Sequence, residues 1–279
     1  MVTVVFGARG NVGRHVAAGL LAAGEQVRVT SRNPGTTDFP AEAEVVAADL
    51  EQPETLPAAL AGAEKVFLYA KPDGVESFVA AAQAAGVRHV VLLSSAAVVR
   101  PGAEHNPIAV AHQTVETAIE QSDVDWTFIR PGMFATNTLW WWSRSIRAES
   151  IVRAPYPDAQ SSPIHEKDMA ALAVTALTEP GHEHQAYTIY GPESLTLRQQ
   201  VAHIETAIGR KITFEALTAE EGRAELGKTM PAMGVEAIMR AWAAGNGTPA
   251  EVSTIVEKIT GRPAHTFAQW AKDHADDFR

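Results

Sequence analysis

The sequence predicts an α/β fold: a doubly wound parallel sheet with helices on both faces, followed by a smaller and mostly helical C-terminal part. Two observations predict it. Short runs rich in Val, Ile and Phe alternate with helical stretches through the first half of the chain. Those runs are apolar along their length instead of alternating with polar residues, which suits strands covered on both sides.

Each element has its own reason. Thr3–Phe6 (TVVF) reads as a buried strand, and Val12–Gly24 as an alanine-rich helix stopped by its last glycine. Gln26–Thr30, Ala43–Asp49, Lys65–Ala70, His89–Ser95 and Asp125–Arg130 supply the second to sixth strands. Between the later ones, VESFVAAAQAAG and AVAHQTVETAIEQS carry helical spacing. After Pro131 the character changes. ATNTLWWWSRSIRAES looks helical, as does DMAALAVTALTE behind an N-cap at Asp168. AYTIYG and KITFEAL are strand-like, and helices dominate from Thr218 onward. Residues 1–131 form the first domain and 132–279 the smaller second part, with AYTIY placed to return a strand to the first sheet.

Composition excludes several partners. The chain has 279 residues and a formal net charge of −10, so its surface repels nucleic acid and anionic membranes. There is no cysteine, which removes disulfides, thiol nucleophiles and thiolate metal sites. No apolar run approaches the roughly 20 residues of a membrane span, and the first residues lack the pattern of a signal peptide. A cytoplasmic protein is expected.

The first strand ends in Gly7, Gly10 and Gly13. Gly7 permits the tight turn, Gly10 lets a pyrophosphate approach the backbone, and Gly13 lets the helix pack closely. Ala8, Arg9, Asn11 and Val12 complete the turn, whose free N–H groups and helix dipole face phosphates. In the first strand–helix turn of a βαβ series, this spacing predicts a dinucleotide. The second strand ends in Thr30, Ser31 and Arg32, where an NAD site would place a carboxylate for the ribose. A guanidinium fits a phosphate instead, so the cofactor expected is NADP(H), with Arg9 as a second cation nearby. Asp49 and Leu50 stand where adenine is flanked, and Tyr69 and Ala70 where the ribose and nicotinamide are lined, since ligands of such sheets bind at the carboxyl ends of strands.

At this point a resemblance emerges. VVFGARGNVG, VTSRNP, ADL, GVRHVVLLSS, DVDWTFIRPGMFATN, SPIHEKDMAALAVTALT and YTIYGPESLTLRQQVAHIETAIGRKI, in that order, are similar to the NmrA-like, atypical branch of the short-chain dehydrogenases/reductases. The resemblance spans about Val2 to Ala216. It implies a Rossmann-like domain, a smaller C-terminal part with a cleft between, and NADP(H) held through Gly7, Gly10, Gly13 and Arg32. Relatives include quinone reductases, tailoring enzymes of secondary metabolism and redox-sensing regulators.

The Tyr-x-x-x-Lys pair of the wider superfamily is absent, since none of Tyr69, Tyr156, Tyr187 and Tyr190 has lysine four residues on. His112 lies close to where the superfamily places its basic residue, and Glu116 follows four residues later on the same helical face. Two readings stand. His112 orients the nicotinamide ribose or donates a proton, or it is a surface histidine paired with Glu116. Ser94 and Ser95 end the fifth strand, where the superfamily has an active-site hydroxyl, with Ser94 against the ribose. His112, Ser95 and Tyr69 are therefore the candidate catalytic residues. Trp140, Trp141 and Trp142 point about 100° apart on a helix, so one apolar face cannot take all three. One lines the substrate site and another meets a partner subunit, or they are core packing plus one exposed ring.

Three other signals fail. GRAELGKT (222–229) has the spelling of a phosphate loop but follows a helix start, not a strand. His182 and His184 sit in a loop beside Pro180, and His165–Glu166 has Met169 where a zinc-protease motif needs histidine. The function expected is NADPH-dependent reduction of a small quinone, aromatic or carbonyl compound by hydride transfer, with a homodimer as the expected assembly. A non-catalytic NADP(H)-sensing protein, and a lyase or isomerase on the same scaffold, remain open.

Overall fold

The computed structural model describes residues 2–35 and 39–279. Two compact units divide the described chain. The first comprises residues up to Gly132, with Glu166–Ile189 and Ile255–Pro263; the second comprises Met133–His165, Tyr190–Thr254 and Ala264–Arg279.

In the first unit the chain runs β1 (Val2–Val5), α1 (Gly13–Ala22), β2 (Gln26–Ser31), β3 (Glu44–Ala47), α2 (Leu56–Leu60), β4 (Ala63–Tyr69), α3 (Val75–Ala85), β5 (His89–Leu93), α4 (Pro107–Glu120) and β6 (Asp125–Pro131). After α5 (Asn137–Glu149), β7 (Ile151–Ala154) and β8 (Gln160–Ser161) of the second unit, α6 (Glu166–Thr178) and β9 (Gln185–Ile189) return to it. The sheet has seven strands in the order β3-β2-β1-β4-β5-β6-β9, all parallel. Strand order therefore reverses between β1 and β4, which opens a crevice at their carboxyl ends. Branched and aromatic side chains of β1, β4, β5 and β6 fill the core beneath α2, α3 and α4. On the other face α1 and α6 cross closely: a Cβ on Gly19 would meet Val174 Cγ2 at 2.8 Å.

Helix ends follow local chemistry. Asn106 caps α4 by accepting from the Ile108 N–H, and Pro107 opens it, so the helix begins two residues before the expected Ala109. Asp168 is not a cap. Helix α6 starts at Glu166, and Asp168 is buried in its first turn. Acidic side chains favour either position, because both lie near the positive end of the dipole.

The second unit continues with β10 (Leu195–Thr196), α7 (Leu197–Ile208), β11 (Thr213–Ala216), α8 (Ala219–Leu226), α9 (Ala232–Gly245) and α11 (Phe267–Asp273), the intervening α10 (Ile255–Thr260) belonging to the first unit. β7 pairs with β11 in parallel and β8 with β10 antiparallel. Capping boxes at Thr196, Thr218 and Thr266 start α7, α8 and α11. Trp142, Trp270, Phe267 and Phe278 are the large buried side chains of its core. Gly222–Leu226 is helical, and a Cβ on Gly222 would strike Pro155 at 2.4 Å; this glycine serves packing rather than a phosphate loop.

Candidate cofactor-binding site

The turn after β1 is made by its glycines. Gly7 has φ +69°, and a Cβ there would lie 2.8 Å from the Tyr69 ring. A Cβ on Gly13 would stand 2.3 Å from the Gly7 carbonyl oxygen, and one on Gly10 3.1 Å from the same atom. The Gly10 N–H donates to that oxygen at 2.8 Å, which closes the turn. Helix α1 then starts at Gly13 with no side chain capping it and no acidic residue in its first turn. Such an end presents N–H donors and a positive dipole to an anion. A backbone cradle that a Cβ would fill, at the strand-order reversal, fits the pyrophosphate of a dinucleotide.

Side chains fall around this turn in two groups. Ala8, Val12 and Leu50 are buried, and Leu50 belongs to the apolar core. Arg9, Asn11 and Arg32 are exposed. Ser31 ends β2 and its hydroxyl accepts from the Asn33 N–H at 3.1 Å, shaping the bend that carries Arg32. Asp49 is half-buried and accepts from the Glu51 N–H at 3.1 Å. Tyr69 is 39 % exposed beside Gly7, and Ala70 follows it, half-buried against the core. Lys71 pairs with Glu51 at 2.8 Å, which raises its pKa above the ordinary lysine value.

After the next strand, β5, Ser94 is buried and its hydroxyl donates to Glu116 Oε1 at 2.5 Å. The same carboxylate accepts from Arg130 Nε at 2.9 Å and Nη2 at 2.6 Å. Ser95 turns instead to the Ala97 N–H, which it accepts at 3.2 Å. His112 is half-buried on α4, and its Nδ1 is enclosed without a hydrogen-bond partner. Burial holds its pKa below the ordinary 6.5, and the Glu116 charge works against that. Glu116, four residues on, is hydrogen-bonded by Arg130 and Ser94 and acts on the His112 ring through its charge. Sequence reasoning missed Arg130; the signal available was an arginine ending a buried strand opposite a glutamate on the preceding helix.

Comparison with known proteins decides what this crevice belongs to. The profile of the NAD(P)H-binding family matches residues 7–180. The chain belongs to the NAD(P)H-binding family. A (4-alkanoyl-5-oxo-2,5-dihydrofuran-3-yl)methyl phosphate reductase of Streptomyces griseus subsp. griseus is 41 % identical over 99 % of this chain and 98 % of its own length. An NAD(P)H azoreductase of Xenophilus azovorans is 37 % identical over 84 % of each chain. Among solved structures, a Citrobacter sp. triphenylmethane reductase complexed with NADP(H) shares the fold at TM-score 0.79, with 23 % identity, over 99 % of this chain and 100 % of its own. The Citrobacter structure and this chain thus share one fold.

Elsewhere, Trp140 is 70 % exposed on α5 while Trp142 is buried and Trp141 packs edge-to-face on Trp242 at 5.3 Å. His182 meets the Tyr187 hydroxyl at 2.8 Å and His184 meets Asp125 at 2.8 Å, so both serve the sheet. No group of metal-holding side chains is found among the described residues, and no helix among them is long and apolar enough to cross a membrane.

Proposed function

We propose that this protein is an NADPH-dependent oxidoreductase that transfers a hydride to a small quinone, aromatic or carbonyl acceptor. The observation that carries it is the glycine turn at the β1–β4 reversal, where a Cβ at Gly13 would enter the backbone and helix α1 begins without a cap. In this reading the backbone of Gly7 to Gly13, including Ala8, Arg9, Gly10, Asn11 and Val12, takes the pyrophosphate. Ser31 and Arg32 take the 2′-phosphate, since β2 ends without a carboxylate and Arg32 is exposed beside it. Asp49 and Leu50 flank the adenine; Tyr69, Ala70 and Ser94 line the ribose and nicotinamide side.

When bound, the reduced nicotinamide supplies the hydride. The chain supplies position, and His112, Ser95 and Tyr69 are the groups proposed to orient the acceptor or deliver the accompanying proton. The relatives' names support a reductase, and the 41 % relative makes a phosphate-bearing conjugated lactone the first acceptor to try, beside quinones and azo compounds. The cysteine-free chain suits a cytoplasmic enzyme, and Trp140 on α5 suits a homodimer contact.

The test is NADPH oxidation against a panel of such acceptors, followed at 340 nm, an absorbance of the reduced nicotinamide, with light scattering for the oligomer. Turnover is expected with at least one acceptor, about 100-fold slower in His112→Ala. NADPH binding without turnover on any acceptor would favour a sensing protein. Product without net NADPH loss would favour a lyase or isomerase.

A further inference from the structure

The carboxylate of Glu116 is buried and held by two side chains, Arg130 and Ser94. It is 4 % exposed, on α4, facing the ends of β5 and β6. Those strands pair Leu93 with Ile129, and the Ser94 N–H donates to the Ile129 carbonyl at 2.7 Å, which sets Ser94 beside Arg130. Arg130 then grips both carboxylate oxygens, and Ser94 donates to one of them at 2.5 Å. Two parallel bonds from a planar guanidinium fix orientation as well as charge. A buried ion pair adds little stability over well-packed apolar residues, so its geometry needs another use. One helical turn before it stands His112, whose Nδ1 is enclosed and unpartnered.

We infer that Glu116 is a positioning residue: the Ser94–Arg130 clasp holds it as a fixed negative charge one turn from the His112 ring. This rests on the reading of His112 given above. The consequence concerns the proton on His112. Burial disfavours the imidazolium and Glu116 favours it, so the balance between them sets the pH at which the ring changes state. The other charges nearby are few. Glu120, on the same helix, feels Glu116 and Arg130. The short turn at Ala96–Val99 that packs on α4 carries no charge, the turn at Ala103–His105 carries the exposed pair Glu104 and His105, and α3 carries Glu76. Arg130 tempers Glu116, so the clasp works as a graded charge and not a full one.

The test is a proton–carbon NMR titration of the His112 ring in the protein without cofactor, beside the pH profile of turnover. Glu116→Gln is expected to move the His112 midpoint about one pH unit lower, and Arg130→Gln to move it higher by a similar step. Glu116→Asp, which keeps the charge, is expected to stay near the wild type. The limb of kcat/KM that follows His112 should move with the midpoint. Either Gln variant decides the matter if the other fails to fold. A midpoint unchanged by charge removal, or moved equally by Gln and Asp at position 116, overturns the inference and leaves Glu116 a structural residue. Should His112→Ala keep full turnover, the proton role of His112 fails on its own, while the titration still answers for Glu116.

Discussion

The glycine turn after β1 and the clasp around Glu116 lie at the same end of one sheet, yet they are built in opposite ways. The turn is backbone. It closes within seven residues, and its shape depends on what is missing: Cβ atoms at Gly7, Gly10 and Gly13. The clasp is side chain. It joins Ser94, Glu116 and Arg130 from three elements and depends on pairing a buried carboxylate. A site of the first kind fails by crowding, and one of the second kind by losing a partner.

Gly13→Val separates the two most sharply. Its Cβ would sit 2.3 Å from the Gly7 oxygen and 2.8 Å from the Gly7 carbon, and backbone atoms cannot rotate away. Calorimetry should find the NADPH Kd raised at least about 100-fold, or the protein unfolded, from overpacking of a rigid turn. Near-normal affinity would mean that the turn is not the cradle. Arg130→Met should leave cofactor affinity far less affected but cost about 3–5 kcal/mol in urea unfolding, because Glu116 would be stranded. A cost below about 1 kcal/mol would mean that water reaches the carboxylate.

A third polar cluster, at the amino ends of the same strands, sharpens the contrast. His89 meets the Thr127 hydroxyl at 2.8 Å, and Thr127 donates to the His182 carbonyl at 2.6 Å, so the His89 Nε2–H donates to Thr127. Burial lowers its pKa from 6.5 to about 4, with Glu183 and Asp125 opposing and Lys65 assisting. Between those values the unfolded chain binds a proton that the folded chain refuses. Stability from this group is therefore flat above about pH 6.5, falls as pH drops, and levels off below about 4, for a total of up to about 3 kcal/mol. Urea unfolding at pH 7 and 4.5 measures it, and His89→Gln should flatten part of the slope. An equal slope in that variant would place the acid sensitivity elsewhere.

These differences explain what the sequence could tell. The glycine turn was legible because its parts are neighbours in the chain, and so was the parallel sheet, whose strands are apolar runs. Arg32 was legible as a position, since β2 ends one residue before it. The clasp was not, because it requires knowing that Leu93 pairs with Ile129 across β5 and β6. Without that register Glu116 looked like the partner of His112, its neighbour on the helix. Asp168 misled for a different reason: an acid in a first turn and an acid at a cap satisfy the same dipole. The strands β8 and β10 escaped because two residues carry no periodicity.

Ser94→Ala should have the smallest effect, and it tests which partner the carboxylate depends on. The serine hydroxyl donates to Glu116 Oε1 at 2.5 Å, but the same oxygen also accepts from Arg130 Nε at 2.9 Å. Alanine removes one donor and leaves no new unpaired group of its own. The Ser94 N–H keeps its bond to the Ile129 carbonyl, so the pairing of β5 with β6 is untouched. The loss should be about 1 kcal/mol, well below that of Arg130→Met, in the same urea experiment. If instead the two losses match, the guanidinium is not what compensates the buried charge. The serine would then be the member of the clasp that Glu116 cannot do without, and the contrast between a site made of backbone and one made of paired charges would have to be redrawn around a hydroxyl.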